Sequence, residues 1–240
     1  MLSVIVAWRA GDKRREEALN NTLACLKNQS AEHEIIVVDQ SLDSSLIFDE
    51  TIRHVKLPPR ENFNKSWCFN VGARQAKTDK LVFLDAEMIF EKNFLSEVRG
   101  FADKHDAFLC WDTILMMPGR DNPLPRILKP VILKTLGGSF FFNRETYFNK
   151  LGGMNENYEG YGCEDNDALD RCINLFDGRK IDVMQYALVH QYHDWEPIDN
   201  DLYKKNQEIL RLVRKDLRGF TKQLREANLG NPLHPILINV

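Results

Sequence analysis

Asp85-Ala86-Glu87 sets two carboxylates one residue apart, directly after the apolar run Lys80–Leu84. In an extended chain, residues i and i+2 face the same way, so both acids can reach one hard divalent cation. The plainer alternative is a strand end that meets solvent through ordinary acids. A second acidic group is denser: "GYGCEDNDALDR", residues 160–171, carries Glu164, Asp165, Asp167 and Asp170 behind a Gly-aromatic-Gly turn. Carboxylates suit the first turn of a helix, whose N-terminus is electropositive. A carboxylate beside such a turn also suits a general base for a hydroxyl nucleophile. The residues alone leave both readings open. His190-Gln191-Tyr192-His193 closes a β-like run and offers two imidazoles for a metal, with Asp194 able to orient one ring. Phe63-Asn64-Lys65 opens a helical stretch containing Asn70-Val71-Gly72. There a cation near a helix N-terminus can meet a phosphate, or Lys65 is solvated and Gly72 only permits close packing.

These groups need a frame. Leu2–Trp8, residues 34–39 (EIIVVD), residues 52–57 and residues 80–84 read as strands, the first, second and fourth as buried apolar runs. Between them, residues 13–29 carry Leu19, Thr22, Leu23 and Leu26 at helical spacing after Asp12, a candidate cap, and residues 64–77 read as a helix with Trp67 and Val71 inward. This alternation predicts an α/β fold with a parallel sheet and right-handed crossovers. Ligands in such sheets sit beyond the carboxyl ends of the strands, so Arg9, Asp39, Asp85 and Glu87 are expected to share one crevice. Further on, residues 107–117 and 181–190 read as single strands, and residues 117–130, with four of the nine prolines, as a loop able to close over a ligand. Residues 201–228 read as one amphipathic, basic helix. Its basic stretch, 203–226, offers a peripheral membrane or protein contact, or simply a packed, half-solvated helix.

Composition narrows the class. The 240 residues, 43% hydrophobic, suffice for one large domain or one domain with an appendage. The net charge of −3 gives no sign of a nucleic-acid binder. Five cysteines without CxxC spacing read as reduced thiols of a cytoplasmic protein rather than a disulfide framework. No signal peptide and no run of about 20 apolar residues is seen.

In order, "FNKSWCFNVGARQA", "LVFLDAE" and "LGGSFFFNRETYFNKLGGMNENYEGYGCEDNDALDR", with a last strand ending in His, resemble the GT-A fold glycosyltransferases, especially the β-1,4-galactosyltransferase-like group with its GalNAc-transferase and chondroitin-polymerase relatives. The resemblance spans roughly residues 2–195, and its most specific part is the ordered glycine and Glu-Asp series over 137–165. It implies a Rossmann-like, mostly parallel sheet in a domain of about residues 1–200, with a nucleotide-binding half near 1–90, an acceptor half near 105–200, and a helical tail over 201–240. It also implies roles. Asp85 and Glu87 stand where the family's DxD holds Mn²⁺ (or Mg²⁺), with His190 as third ligand and His193 as the alternative. Arg9, Asp39, Asn64, Lys65, Asp85 and Gly138 fall at donor-binding positions. Glu164 and Tyr161 fall at the acceptor, and Asp165 at the catalytic base of inverting transfer from a UDP-sugar to a carbohydrate acceptor. Two positions depart from the pattern: the second DxD acid is Glu87, and the usual Trp of Gly-Trp-Gly is Tyr161. The competing functions are a nucleotidyltransferase that makes the nucleotide sugar, and a non-catalytic carbohydrate-binding relative on the same fold.

Overall fold

The first strand shows how the core is divided. In β1 (Leu2–Trp8) every residue is buried. Leu2, Val4, Val6 and Trp8 pack on one face of the sheet with Leu19, Leu23 and Leu26 of α1 (Lys13–Lys27). Ile5 and Ala7 pack on the other with Trp67, Phe69 and Val71 of α2 (Lys65–Gln75). A strand covered on both faces needs no polar alternation, which is why it reads as a continuous apolar run. The computed structural model describes residues 1–43, 46–119, 124–129, 135–176, 178, 180–193 and 199–239. Asp194 and much of the proline-containing loop lie outside these.

Two sheets form the frame. The larger runs β10-β6-β9-β4-β1-β2-β3. Its parallel half holds β1, β2 (His33–Asp39), β3 (Ile52–Lys56) and β4 (Lys80–Asp85). β9 (Ser139–Asn143) is antiparallel to both β4 and β6 (Ala107–Leu109). The smaller sheet runs β5-β11-β7-β8, from β5 (Met88–Ile89), β11 (Ala187–His190), β7 (Thr113–Met116) and β8 (Arg126–Leu128). Helix α3 (Phe94–Ala102) packs beneath β9, and a short wide helical turn, Glu145–Lys150, follows that strand.

Two of the expected strands are each divided between the sheets. Residues 107–117 form β6 in the large sheet and β7 in the small one, and residues 181–190 form β10 (Asp182–Val183) and β11 in the same way. The two segments change sheet together. β10 lies parallel to β6 and β11 parallel to β7, and between them Met184 N donates to Leu109 O while Asp112 N donates to Tyr186 O. Trp111, fully buried, fills the bend and donates its indole N–H to Gly137 O at 2.9 Å.

The tail is two helices, not one. Asp216 ends α5 (Asn200–Lys215) and caps α6 (Leu217–Glu226), accepting from Gly219 N at 2.9 Å. A side chain that satisfies a free helical N–H starts a new helix where periodicity alone would run on. Ile209, Leu210, Val213, Phe220 and Leu224 are buried with Tyr158 and Cys163, and both helices contact α4 (Glu164–Leu175). The apolar side of both helices is thus packed against the domain. Residues 229–238 then strap across α2: Trp67 Nε1 donates to Asn231 O, Arg74 Nε to Leu229 O, and Gly230 N and Ile236 N to the buried carboxylate of Glu156. Among the described residues no helix is long and apolar enough to cross a membrane, and all five cysteines are free.

Candidate active site

The carboxyl ends of β1, β4 and β11, the start of β9, and the first turns of α1, α2, α4 and α5 border one cleft of about 520 Å³, within the range of roughly 300–1,000 Å³ usual for small-molecule sites. Arg9, Lys65, Asp85, Glu87, Gly138, Tyr161, Glu164, Asp165, His190 and His193 all line it. Two expected members do not. Asp39 is fully buried, its carboxylate accepting from Ser41 N at 2.8 Å and facing His54 Nε2 at 3.1 Å. Asn64 is also fully buried: its Oδ1 caps α2 by accepting from Trp67 N, and its Nδ2 donates to Glu156 O. Gly72 serves close packing, since a Cβ there would lie 2.3 Å from Ile5.

On one side of the cleft, Glu87, His190 and His193 each offer a ligand atom, all within 4.8 Å of one another. Asp85 is outside this triplet. Residues 86–87 form a turn rather than continuing the strand, so the i, i+2 alignment expected for an extended chain does not hold. Asp85 instead accepts from Gly138 N at 2.7 Å and lies 3.6 Å from Lys65 Nζ. Gly138 has φ +89, and a Cβ there would meet Ile114 at 2.7 Å, so only glycine brings its N–H to this carboxylate. Burial lowers the His190 pKa against the opposing pull of Glu87, favouring a neutral ring. Its Nδ1 lies 2.8 Å from Gln191 O. A carbonyl can only accept, so Nδ1 carries the proton and Nε2 keeps the lone pair. Two imidazoles and a carboxylate suit a first-row transition ion better than an all-oxygen site would. Arg15, which nothing in the sequence separated from its neighbours Lys13 and Arg14, reaches Glu87 at 3.6 Å and lines the cleft.

Across the cleft is the acidic helix. α4 begins at Glu164 after Cys163, a non-glycine residue at φ 80. Its side chains divide by helical phase. Glu164 and Asp165 face the cleft. Asp167 and Arg171 are fully buried behind it, with Asp167 also accepting from Asn155 at 2.8 Å. Asp170 accepts from Arg214 of α5. Lys65 Nζ, from the first residue of α2, lies 2.7 Å from Asp165 Oδ2 and 2.9 Å from Glu164 Oε1. The other oxygen of Asp165, Oδ1, is buried and has no hydrogen-bond partner among the described residues. Burial pushes the Asp165 pKa up to about 7, with Lys65 pulling the other way and Glu164 and Asp85 adding to the rise.

The rim beside Gly160–Gly162 is completed by the tail. Leu202 and Tyr203 of α5 pack against Gly160 and Gly162. The half-exposed ring of Tyr161 lies 6.0 Å from that of Tyr203, and Asp199 and Leu202 line the cleft itself. Trp111, Asp199 and Leu202 were not foreseen as part of the site.

Comparison with known proteins agrees with this arrangement. Residues 4–161 match glycosyl transferase family 2, and residues 131–196 match the family described as the N-terminal domain of galactosyltransferase. A search of curated proteins gives no match. Among solved structures, S. aureus TarS 1–349 in complex with UDP-GlcNAc is similar with TM-score 0.62 at 16% identity, over 94% of this chain and 70% of that one. S. aureus TarS is similar with TM-score 0.61 at 17% identity, over 93% of this chain, which spans 42% of the TarS chain. A mutant Drosophila β1,4-galactosyltransferase 7 in complex with manganese, UDP-Gal and xylobiose is similar with TM-score 0.53 at 18% identity, over 86% of this chain and 80% of that one. With a family match over more than half its length and strand ends, glycine turn and acidic helix around one cleft, the chain belongs to glycosyl transferase family 2 and is a glycosyltransferase of the GT-A fold.

Proposed function

We propose that this enzyme moves a hexose or N-acetylhexosamine from a UDP-sugar to a hydroxyl of a glycan acceptor, with inversion at the anomeric carbon and a divalent cation, Mn²⁺ or Mg²⁺. The observation that carries this reading is the placement across one cleft of Asp165, held at Oδ2 by Lys65, opposite the Glu87–His190–His193 triplet. The TarS complex with UDP-GlcNAc and the Drosophila complex with manganese, UDP-Gal and xylobiose support the same substrate classes.

Glu87, His190 and His193 are the residues to hold the cation. A bound divalent ion supplies Lewis-acid neutralisation of the charge on a leaving diphosphate. Arg9, Asp85, Lys65 and Gly138 lie on the donor side, with Asp39 and Asn64 behind them as buried supports. Glu164 and Tyr161 face the acceptor. The acceptor oxygen attacks the anomeric carbon from the face opposite the diphosphate, the bond from that carbon to the diphosphate oxygen breaks with its electron pair leaving on UDP, and the hydroxyl proton passes to Asp165. The reacting carbon gains oxocarbenium character, as in glycoside hydrolysis.

Titration calorimetry and a UDP-release panel test the reading. UDP binding should require Mn²⁺ or Mg²⁺, weaken on Glu87→Ala and Asp85→Ala, and be accompanied by UDP release from one or a few UDP-sugars when an acceptor is present. Equal UDP affinity with metal and with chelator would overturn the metal assignment.

A further inference from the structure

Three carboxylates from two elements converge on one ammonium. Lys65 Nζ lies 2.7 Å from Asp165 Oδ2, 2.9 Å from Glu164 Oε1 and 3.6 Å from Asp85 Oδ1, with only 17% of its side chain exposed. The sequence resemblance places this residue at the donor; its ammonium is also engaged by acids. We propose that Lys65 is the positioning residue of the catalytic carboxylate: it fixes Oδ2 of Asp165 and favours the charged form of the group against its acidic neighbours. This rests on Asp165 being the general base.

The charges facing Asp165 are Lys65 from α2, Glu164 on its own helix and Asp85 from the end of β4. Two of the three are repulsive, and burial adds to their effect, so Lys65 alone among them favours ionisation. Burial would by itself lower the Lys65 pKa, but Asp165, Asp85 and Glu164 outweigh it and keep that pKa well above its ordinary value. The ammonium therefore stays charged throughout the range in which Asp165 titrates. Its bond to one oxygen also fixes the rotation of the carboxylate.

The inference has a signed consequence that a scaffold lysine would not produce. Removing an opposite charge at this distance raises a carboxyl by about one to three pH units. In the unliganded protein, a carbon-13 NMR titration of the aspartate carboxyls identifies Asp165 as the signal lost in Asp165→Asn. Its midpoint should rise by at least about one pH unit in Lys65→Met, stay near the parent value in Lys65→Arg, and fall in Glu164→Gln. The acid limb of the kcat/KM profile should move with it, so that Lys65→Met loses about tenfold near neutral pH, since each pH unit changes the ionised fraction tenfold below the midpoint, and recovers part of that loss in alkali. An unchanged midpoint in Lys65→Met, whatever happens to UDP affinity, would overturn the proposal and leave the lysine a donor contact. Should Lys65→Met fail to fold, the Lys65→Arg and Glu164→Gln pair decides: a midpoint that does not fall in Glu164→Gln, or that rises in Lys65→Arg as far as expected for Met, also overturns it. Failure of the base assignment is distinguishable, because then Asp165→Asn itself transfers sugar at the parental rate.

Discussion

Asp165 and Asp167 sit two residues apart on one helix, each beside one cation, yet they belong to different kinds of site. Successive positions turn by about 100°, so the two side chains point to roughly opposite faces of α4. Asp167 is fully buried, and both its oxygens are taken, Oδ1 by Arg171 Nε at 2.5 Å and Oδ2 by Asn155 at 2.8 Å. Arg171 in turn donates to the carbonyls of Leu151 and Gly153, fixing the loop that leads to the Gly160–Gly162 turn. Asp165 shares Lys65 with two other acids, and among the described residues its Oδ1 has no hydrogen-bond partner. A buried carboxylate with both oxygens matched specifies structure; one left short of a partner is expensive to bury.

The sharpest way to break this contrast is Asp165→Asn. Loss of general-base help should lower transfer by about 10²–10⁴-fold, with metal-dependent UDP binding nearly intact. The same change should raise stability in alkali. Burial raises the Asp165 pKa above the unfolded value to about 7. Its contribution to stability is therefore fully present below the unfolded pKa and lost as pH rises through 7. The melting temperature of Asp165→Asn should exceed the parent's at pH 8 and match it at pH 4, as scanning calorimetry would read. A variant that melts below the parent at pH 8 would mean Asp165 is a structural acid like Asp167.

Arg171→Met should act in the opposite sense. Stranding a buried carboxylate costs about 3–5 kcal/mol, measurable by urea unfolding, while transfer per folded molecule changes little. A loss of turnover without a loss of stability would erase the distinction between the two faces. The smallest effect belongs to Asp170→Asn, whose partner Arg214 is 53% exposed. Exposed pairs contribute about 0–1 kcal/mol, so both stability and transfer should stay near parental.

This division was partly legible in advance. Asp167 and Arg171 stand at i, i+4, the spacing of a helical ion pair, and that spacing separates them from Glu164 and Asp165 in the bare sequence. The parallel half of the sheet was legible because strands buried on both faces are continuous apolar runs. Residues 107–117 and 181–190 misled for the same reason: apolar character does not record which sheet a residue joins, and the change of sheet is marked by no proline and by single polar residues only, Asp112 and Gln185. The tail misled because Asp216 acts as a cap inside an unbroken helical period. In the site, the imidazoles and the acids were readable from their places after strands. Arg15 was not, because three adjacent cations open that helix and only tertiary packing selects the one that turns inward. Asp39 sits at a strand end as expected, but the side chain points beneath the cleft floor.

The strap over residues 229–238 bears on how this enzyme should be handled. Glu156 has three donors in the described chain, Asn70 Nδ2 and the backbone N–H groups of Gly230 and Ile236. Burial raises the pKa of this acid while those donors hold it down. Shortening the chain at Asn228 would leave it with Asn70 alone, directly against the helix that carries Lys65 at its tip. A tail segment that contributes nothing to the cleft is thus the back wall of α2, and trimming it to obtain a minimal enzyme should loosen the helix that presents Lys65 to the cleft.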